Sequence, residues 1–163
     1  SQEIQEQLAL LRSTPTHAFI QAGVGSLAAG LASDVRRMMD APYRIVVVEP
    51  AAAACVGAAL RAGRPQRLSG TLTTVAEVLS CGEASAPAVK ILRRYEATAI
   101  TVEESELMAA PGVLAALGGP ESTASGAAGL AGLLAASPGS ALARALELDS
   151  NSRVLLIATE GPR

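Results

Sequence analysis

The chain has 163 residues, which is enough for one domain with its own hydrophobic core and too few for two. Half of the residues are apolar, but only Phe19, Tyr43 and Tyr95 are aromatic, so the core has to be built from Ala, Leu, Val and Ile. Thirteen basic and fifteen acidic residues give a net charge of -2 without a basic stripe, which argues against a nucleic-acid partner. No apolar run approaches the roughly 20 residues that cross a bilayer, so no membrane segment is expected. We expect residues 1–163 to form a single α/β domain.

Four short runs rich in β-branched residues predict strands: His17 to Gln21, Arg44 to Val48, Thr98 to Val102, and Arg153 to Ala158. The second run reads Ile-Val-Val-Val without alternation, which is typical of a strand buried on both faces of a parallel sheet. Helices are predicted between the strands, at Gln2 to Arg12, Ser26 to Asp40, Ala51 to Ala62, Thr71 to Leu79, Ala86 to Arg94 and Glu104 to Leu117, the last with a break at Pro111. The alternation predicts a mostly parallel sheet of about four strands with helices on both faces.

A further helix is predicted from Ser125 to Ala136, where glycine recurs at every third position. Such a helix can approach a sheet closely, because no side chain keeps it away. The two cysteines, Cys55 and Cys81, have neither metal-ligand spacing nor the density of a secreted disulfide scaffold. They predict a reducing, cytoplasmic location and no metal site.

The segment Gln21-Ala22-Gly23-Val24-Gly25-Ser26-Leu27 lies between the first predicted strand and the next helix. Its glycines allow positive φ and close backbone approach, and the helix that follows offers unpaired N–H groups and the positive end of its dipole. Together these features suit a phosphate. The segment is neither a Walker A loop nor a dinucleotide Gly-x-Gly-x-x-Gly motif. Taken alone, it fits a phosphate site or a plain tight turn.

Several motifs occur in one order along the chain: Thr16 to Ser26, Val47-Val48-Glu49-Pro50, Leu79-Ser80-Cys81-Gly82-Glu83, Ser125-Gly126-Ala127, Asn151 to Leu156, and Thr159-Glu160-Gly161. From about Pro15 to Gly161, this order resembles the diaminopropionate ammonia-lyases, which are fold type II (tryptophan synthase β-like) pyridoxal-phosphate enzymes. The resemblance implies the C-terminal portion of the large domain of such an enzyme. It also implies a pyridoxal 5'-phosphate cofactor and α,β-elimination on 2,3-diaminopropionate or a similar small amino acid.

The resemblance also implies which residues contact the cofactor. Backbone N–H groups of Gly23, Val24, Gly25, Ser26 and Leu27 would hold its phosphate. A residue at the end of the last strand, Ala158 or Thr159, would lie near the pyridine nitrogen.

The catalytic groups of the family, including its Schiff-base lysine, lie upstream of the part that this chain resembles. The one lysine in the sequence, Lys90, is predicted on the exposed face of a helix. We therefore expect no catalytic residue in this chain and no activity from the chain alone, because no other residue type replaces that amine. The expected partners are the N-terminal half of the enzyme, from the same precursor or a separate chain, and a second copy in a homo-oligomer such as a dimer.

Three other interpretations stay open at this point. Ala124 stands where such enzymes often have a glutamate close to the cofactor ring, so the chain could be a degenerate, non-catalytic α/β domain for binding or assembly. The glycine segment by itself would also fit a phosphate- or nucleotide-binding domain unrelated to pyridoxal. Finally, Glu49 ends a strand, where a carboxylate can reach a crevice at the edge of the sheet. For His17, the only histidine, a structural or solvent-exposed role is expected.

Overall fold

The computed structural model describes residues 2–11, 13–39 and 43–161. In chain order the elements are α1 (Gln2–Leu11), β1 (His17–Gln21), α2 (Ser26–Met38), β2 (Arg44–Pro50), α3 (Cys55–Ala62), α4 (Ala86–Arg94), β3 (Thr98–Val102), α5 (Glu104–Ala116), α6 (Ala128–Ala135), α7 (Ala141–Ala145) and β4 (Val154–Leu156). Single 3-10 turns lie at Ala51–Ala53 and Glu77–Leu79.

The four strands form one parallel sheet in the order β3-β2-β1-β4. In the register of this sheet, His17 at the start of β1 lies beside Arg44 of β2 and Val154 of β4. Strand β1 is therefore central, and the pairing with β4 covers only three residues. The α/β class with four parallel strands is confirmed.

Alternate residues of the central strands face two separate cores. Ala18, Ile20 and Val47 pack against α2, α3 and α4 on one face of the sheet. Phe19 and Val48 belong to the core on the other face, which contains α5 and α6. Because β1 and β2 are buried on both faces, they read as continuous apolar runs, and helices cover both sides of the sheet as predicted.

Helix α6 lies directly against the sheet because two of its glycines leave room for it. A Cβ atom on Gly129 would lie 2.9 Å from the carbonyl oxygen of Phe19, and one on Gly132 would lie 2.6 Å from Cγ2 of Val48. The close-packed helix predicted from the glycine pattern is confirmed. It begins at Ala128, three residues later than predicted, because residues 124–127 form a turn.

Glu49 is buried at the end of β2, where it caps helix α3. Its Oε1 accepts the N–H of Val56 at 2.6 Å and its Oε2 accepts the N–H of Gly57 at 2.7 Å. These are among the N–H groups at a helix start that lack an intrahelical partner. Burial raises the pKa of Glu49 to about 7, although both N–H bonds and the Arg61 guanidinium act to lower it. Its contacts assign Glu49 to the fold rather than to the crevice.

The predicted helix at Thr71 to Leu79 is wrong, because only Glu77–Leu79 form a 3-10 turn. Threonine is a poor helix former, and groups in this segment make hydrogen bonds other than those of a helix. The Val75 N–H donates to Glu104 Oε2, and Ser80 Oγ donates to the Leu72 carbonyl. Helix α7, which has five residues, was not predicted. Pro111 does not break α5.

The remaining boundaries agree within a few residues. Strand β4 is shorter than predicted, and the 3-10 turn at Ala51–Ala53 replaces the start of the helix predicted there. The predicted helix ends at Arg12 and Asp40 lie outside the described residues. Across the described ranges, none of the helices has both the length and the apolar character needed to span a bilayer.

We expect Gly132→Ala to lower the free energy of unfolding by about 1–3 kcal/mol, because the new methyl group overpacks the contact with Val48. Gly30→Ala is the matched control, since Gly30 lies on the exposed face of α2 with nothing within 4 Å of the added carbon. The control should raise the free energy of unfolding by up to about 1 kcal/mol through helix propensity. Urea denaturation measures both, and equal stability of the two variants would contradict the close packing of α6.

Glu49 should make stability depend on pH. Its pKa is about 7 in the fold against 4.5 for the ordinary carboxyl, so folding favours the protonated form. The stabilisation is complete below pH 4.5 and is lost as the pH rises through about 7. At about 1.4 kcal/mol per pKa unit, a shift from 4.5 to about 7 corresponds to a loss of roughly 3–4 kcal/mol.

Urea midpoints measured from about pH 4 to pH 8 test this expectation. Glu49→Gln should remove most of the decline, because an amide does not titrate. Glu121→Gln, which changes an exposed side chain, should leave the decline in place. A decline of the same size in the Glu49→Gln variant would assign it to other groups.

Candidate functional site

A cavity of about 230 Å³ opens beyond the carboxyl end of β1. One wall is the segment Gly23 to Leu27, which joins β1 to α2, and the opposite wall carries Thr159 and Glu160. Val78, Leu79, Cys81 and Ser125 close the remaining side. Segments distant in sequence therefore meet where ligands usually bind in parallel sheets.

The first wall depends on two glycines. Gly25 has a φ of +89°, and a Cβ there would also lie 3.0 Å from Cγ2 of Val56. At Gly23 a Cβ would lie 2.9 Å from Cys81 Sγ and 3.1 Å from the Val78 carbonyl oxygen. The turn is held from behind, because the Ser85 N–H donates to the Val24 carbonyl at 2.9 Å. A rigid glycine turn thus brings the backbone to the cavity surface.

Helix α2 begins at this turn without a side-chain cap. Gly25 is its N-cap residue, and the first N–H bonded to the Gly25 carbonyl is that of Ala29. The N–H groups of the first turn, including those of Ser26 and Leu27, have no intrahelical partner, and they carry the positive end of the helix dipole. Both residues line the cavity. This arrangement fits an anion such as a phosphate.

The described residues that line the cavity include neither Lys nor Arg. A bound phosphate would therefore be held by backbone N–H groups and the α2 dipole. Glu160 is the one carboxylate of this lining, and its Oε2 accepts the Thr123 hydroxyl at 2.5 Å. That hydrogen bond ties the Glu160 carboxylate to the protein instead of leaving it free towards an anion.

The opposite wall is joined to β1 by Gln21. Its Nε2 donates to the Gly126 carbonyl at 3.2 Å and to the Thr159 hydroxyl at 2.8 Å. A further bond, from the Val78 N–H to Ser125 Oγ at 3.3 Å, connects the third side. These bonds hold the three chain segments of the cavity in one arrangement.

The two thiols next to the glycine turn are not activated. Burial raises the pKa of Cys81 above its ordinary value, and burial, followed by the neighbouring Glu49, raises the pKa of Cys55 to about 12. Cys55 Sγ donates to the Gly23 carbonyl at 3.3 Å. Because the thiolate is the nucleophile, both residues are unreactive at neutral pH and serve to pack the turn.

Of the site residues that the sequence predicts, the structure brings Gly23, Val24, Gly25, Ser26, Leu27 and Thr159 to one cavity. Ala158 lies instead on a neighbouring groove, beside Leu155 and Ile157. Ala124 is half-buried and packs against the core that contains α5 and α6. The cofactor-binding roles of these residues stay predictions.

Lys90 is exposed on α4 and does not line the cavity. His17 is buried, with Nε2 2.8 Å from the Leu146 carbonyl, so its role is structural and not solvent-exposed. In the described ranges, no group of three potential metal ligands is found. Gln21 was not predicted as a site residue, although a glutamine at the end of an apolar strand is a signal for it.

Comparison with known proteins agrees with this geometry. Residues 1–160 match the family described as pyridoxal-phosphate dependent enzyme. The chain is 35% identical over 173 residues to the diaminopropionate ammonia-lyase of Salmonella typhimurium and 33% identical over 172 residues to that of Escherichia coli strain K12, covering 98% of this chain in both cases. It spans only 42% of the length of these relatives.

Solved structures give the same result. This chain is similar to a crystal structure of diaminopropionate ammonia lyase from Escherichia coli in complex with an aminoacrylate-PLP azomethine reaction intermediate. The TM-score is 0.83 and the sequence identity is 31%, over 98% of this chain and 42% of that chain. The threonine deaminase from T.th. gives a TM-score of 0.78 and 27% identity, over 99% of this chain and 54% of that chain. The resemblance predicted from the motifs is confirmed. The chain belongs to the family of pyridoxal-phosphate-dependent enzymes, with the fold type II architecture.

Proposed function

We propose that this chain is the cofactor-phosphate-binding portion of an ammonia-lyase that acts on 2,3-diaminopropionate or a similar small amino acid. The observation that carries the proposal is the glycine turn at the start of α2, where Gly25 adopts a positive φ and the helix has no side-chain cap. The similarity of the chain to diaminopropionate ammonia-lyases supports the reaction class.

Each wall of the cavity has a role in this proposal. Backbone N–H groups from Gly23 to Leu27 bind the phosphate and so fix the position of the cofactor. Thr159 offers a hydroxyl group on the opposite wall of the cavity. Ala158 lies on a neighbouring groove and has no hydroxyl group. When bound, pyridoxal phosphate supplies the electron sink that stabilises negative charge at the substrate α-carbon.

The part of the enzyme that removes the α-proton is assigned to a partner. Lys90 is exposed on α4, outside the cavity lining, and the sequence has no second lysine. The cavity volume of about 230 Å³ is also below the ~300–1,000 Å³ of typical ligand sites. Both observations support a lysine and further walls from the N-terminal half of the enzyme, on the same precursor or on a separate chain.

Three further features belong to the proposal. Residues 1–163 act as a single α/β domain, because both cores share one sheet. The complete enzyme forms a homo-oligomer, for which a dimer is the simplest form. Its location is cytoplasmic, in keeping with the free thiols of Cys55 and Cys81.

A non-catalytic binding or assembly domain is the alternative, and the observation in its favour is Ala124 in place of the glutamate that such enzymes often carry. The two proposals differ in one outcome. In the lyase proposal, adding the missing half restores activity. In the alternative, the cofactor ester binds but elimination does not occur.

The phosphate site is tested with pyridoxine 5'-phosphate, an alcohol that cannot condense with Lys90 or with the terminal amine. We expect the chain to bind this ester more tightly than pyridoxine, which lacks the phosphate. Ser26→Asp should weaken binding of the ester at least about tenfold, or about 1.4 kcal/mol, because a carboxylate then competes for the same N–H groups. Isothermal titration calorimetry measures the affinities.

Ser105→Asp provides the matched control, since Ser105 is exposed in the first turn of α5 and the change in charge is the same. An acidic residue in the first turn stabilises a helix, so neither variant should unfold the chain. If both variants bind the ester equally well, or if pyridoxine binds as tightly as its phosphate, the phosphate site is not at this turn.

Activity is tested by ammonia release from 2,3-diaminopropionate. The chain alone, saturated with pyridoxal phosphate, should release none. Mixed with the N-terminal part of the Escherichia coli diaminopropionate ammonia-lyase, it should do so, and Ser26→Asp should lower this activity while Ser105→Asp leaves it unchanged. Ammonia release by the chain alone would contradict the assignment of the lysine to a partner.

A further inference from the structure

Gln21 is a polar residue in an apolar environment. It is the last residue of β1 and is only 2% exposed, and its neighbours in the sheet and in α6 are apolar. Burying an amide is unfavourable unless its hydrogen bonds are made. Gln21 makes two of them, to Gly126 and Thr159, and these residues lie 105 and 138 positions away in the chain.

The orientation of this amide is fixed by the Gly126 carbonyl. A carbonyl oxygen only accepts hydrogen bonds, so the NH2 group of Gln21 has to face it, and the flipped amide would set two acceptors against each other. Gln21 Oε1 consequently points towards Gly129, where it lies 3.4 Å from the position of the absent Cβ. It has no hydrogen-bond partner among the described residues.

The direction of the bond to Thr159 follows. Both N–H groups of Gln21 are then donors, one to Gly126 and one to Thr159 Oγ1 at 2.8 Å. The Thr159 hydroxyl accepts from Gln21 and keeps its own hydrogen for another acceptor. In the described part of the chain that hydrogen has no acceptor, and Thr159 lines the cavity.

We infer that Gln21 is a positioning residue that makes the Thr159 hydroxyl a hydrogen-bond donor towards the ligand. The site then selects a ligand with an acceptor at this point. The inference rests on the proposed function, since the acceptor would then be the unprotonated pyridine nitrogen that the resemblance places near Thr159. Gln21 thereby sets the protonation state of the ring without contacting the ring.

The decisive ligand pair is pyridoxine 5'-phosphate and its benzene analogue, which has C–H in place of the ring nitrogen and almost the same shape. The chain should bind the pyridine ligand about fivefold more tightly or better, since only that ligand accepts the Thr159 hydrogen. Thr159→Val, which removes the hydroxyl with little change in shape, should bind both ligands equally. Thr159 is exposed, so this variant should fold.

Gln21→Glu reverses the direction of the hydrogen bond. In its protonated form the buried carboxyl group places its O–H where Gln21 has Nε2 and donates that hydrogen to the Gly126 carbonyl. The same oxygen has no second hydrogen for Thr159 and can only accept from it, so the Thr159 hydroxyl then turns towards residue 21. We expect the preference for the pyridine ligand to disappear in this variant while the phosphate ester is still bound. Combining it with Thr159→Val should change the preference no further, because both substitutions remove the same bond.

A preference that survives in Gln21→Glu, or that is absent from the unchanged chain although the ester binds, would overturn the inference. If neither ligand binds, the proposed function fails, and Gln21 is then tested without ligand.

Three-bond scalar couplings to the Thr159 methyl group, measured by NMR, report the rotamer of the Thr159 side chain. The unchanged chain should show a single rotamer and Gln21→Met an average of several. An average in the unchanged chain would overturn the positioning role independently of cofactor binding.

Discussion

The closeness of α6 to the sheet is the constraint on which the rest of the structure depends. Gly129 rests on the backbone of β1 and Gly132 on Val48 of β2, so the helix approaches nearer than any side chain would permit. Because α6 is so close, the turn before it reaches the end of β1, and the Gly126 carbonyl lies within hydrogen-bond distance of Gln21. A more distant helix would still cover the core but would leave the wall of the cavity detached from the strand.

The site that results is built mainly from the backbone. Two glycines and the start of a helix provide a surface whose geometry suits an anion, and the polar side chains around them hold chain segments together. Such a surface is formed when the fold is formed, since it needs no long side chain to be ordered. The thiols of buried Cys55 and half-buried Cys81 pack beneath this turn, and their partial removal from water raises both pKa values.

Much of this architecture could be predicted from the sequence, where local pattern and tertiary contact favour the same conformation. The bounds of β1, β3 and α4 agree with the predicted ones. An apolar β-branched run and an amphipathic helix can each be recognised from the hydrophobic pattern of a few neighbouring residues. The segment from Thr71 to Ala76 could not be predicted, because long-range bonds such as that between Val75 and Glu104 fix its backbone. The glycine turn was visible as a motif. The hydrogen bonds of Gln21 were not, because their acceptors come from two distant parts of the chain.

The position of β4 has a consequence for the order in which the protein folds. Strands β1 and β2 are adjacent in sequence, whereas β4 joins β1 from the far end of the chain, and Thr16 bonds to Arg153 across 137 positions. Closing so large a loop is entropically costly and slow, so contacts of this kind form late. During synthesis, the glycine turn can exist long before Thr159 reaches Gln21. A nascent chain would therefore form the glycine turn first and complete the cavity only when β4 docks.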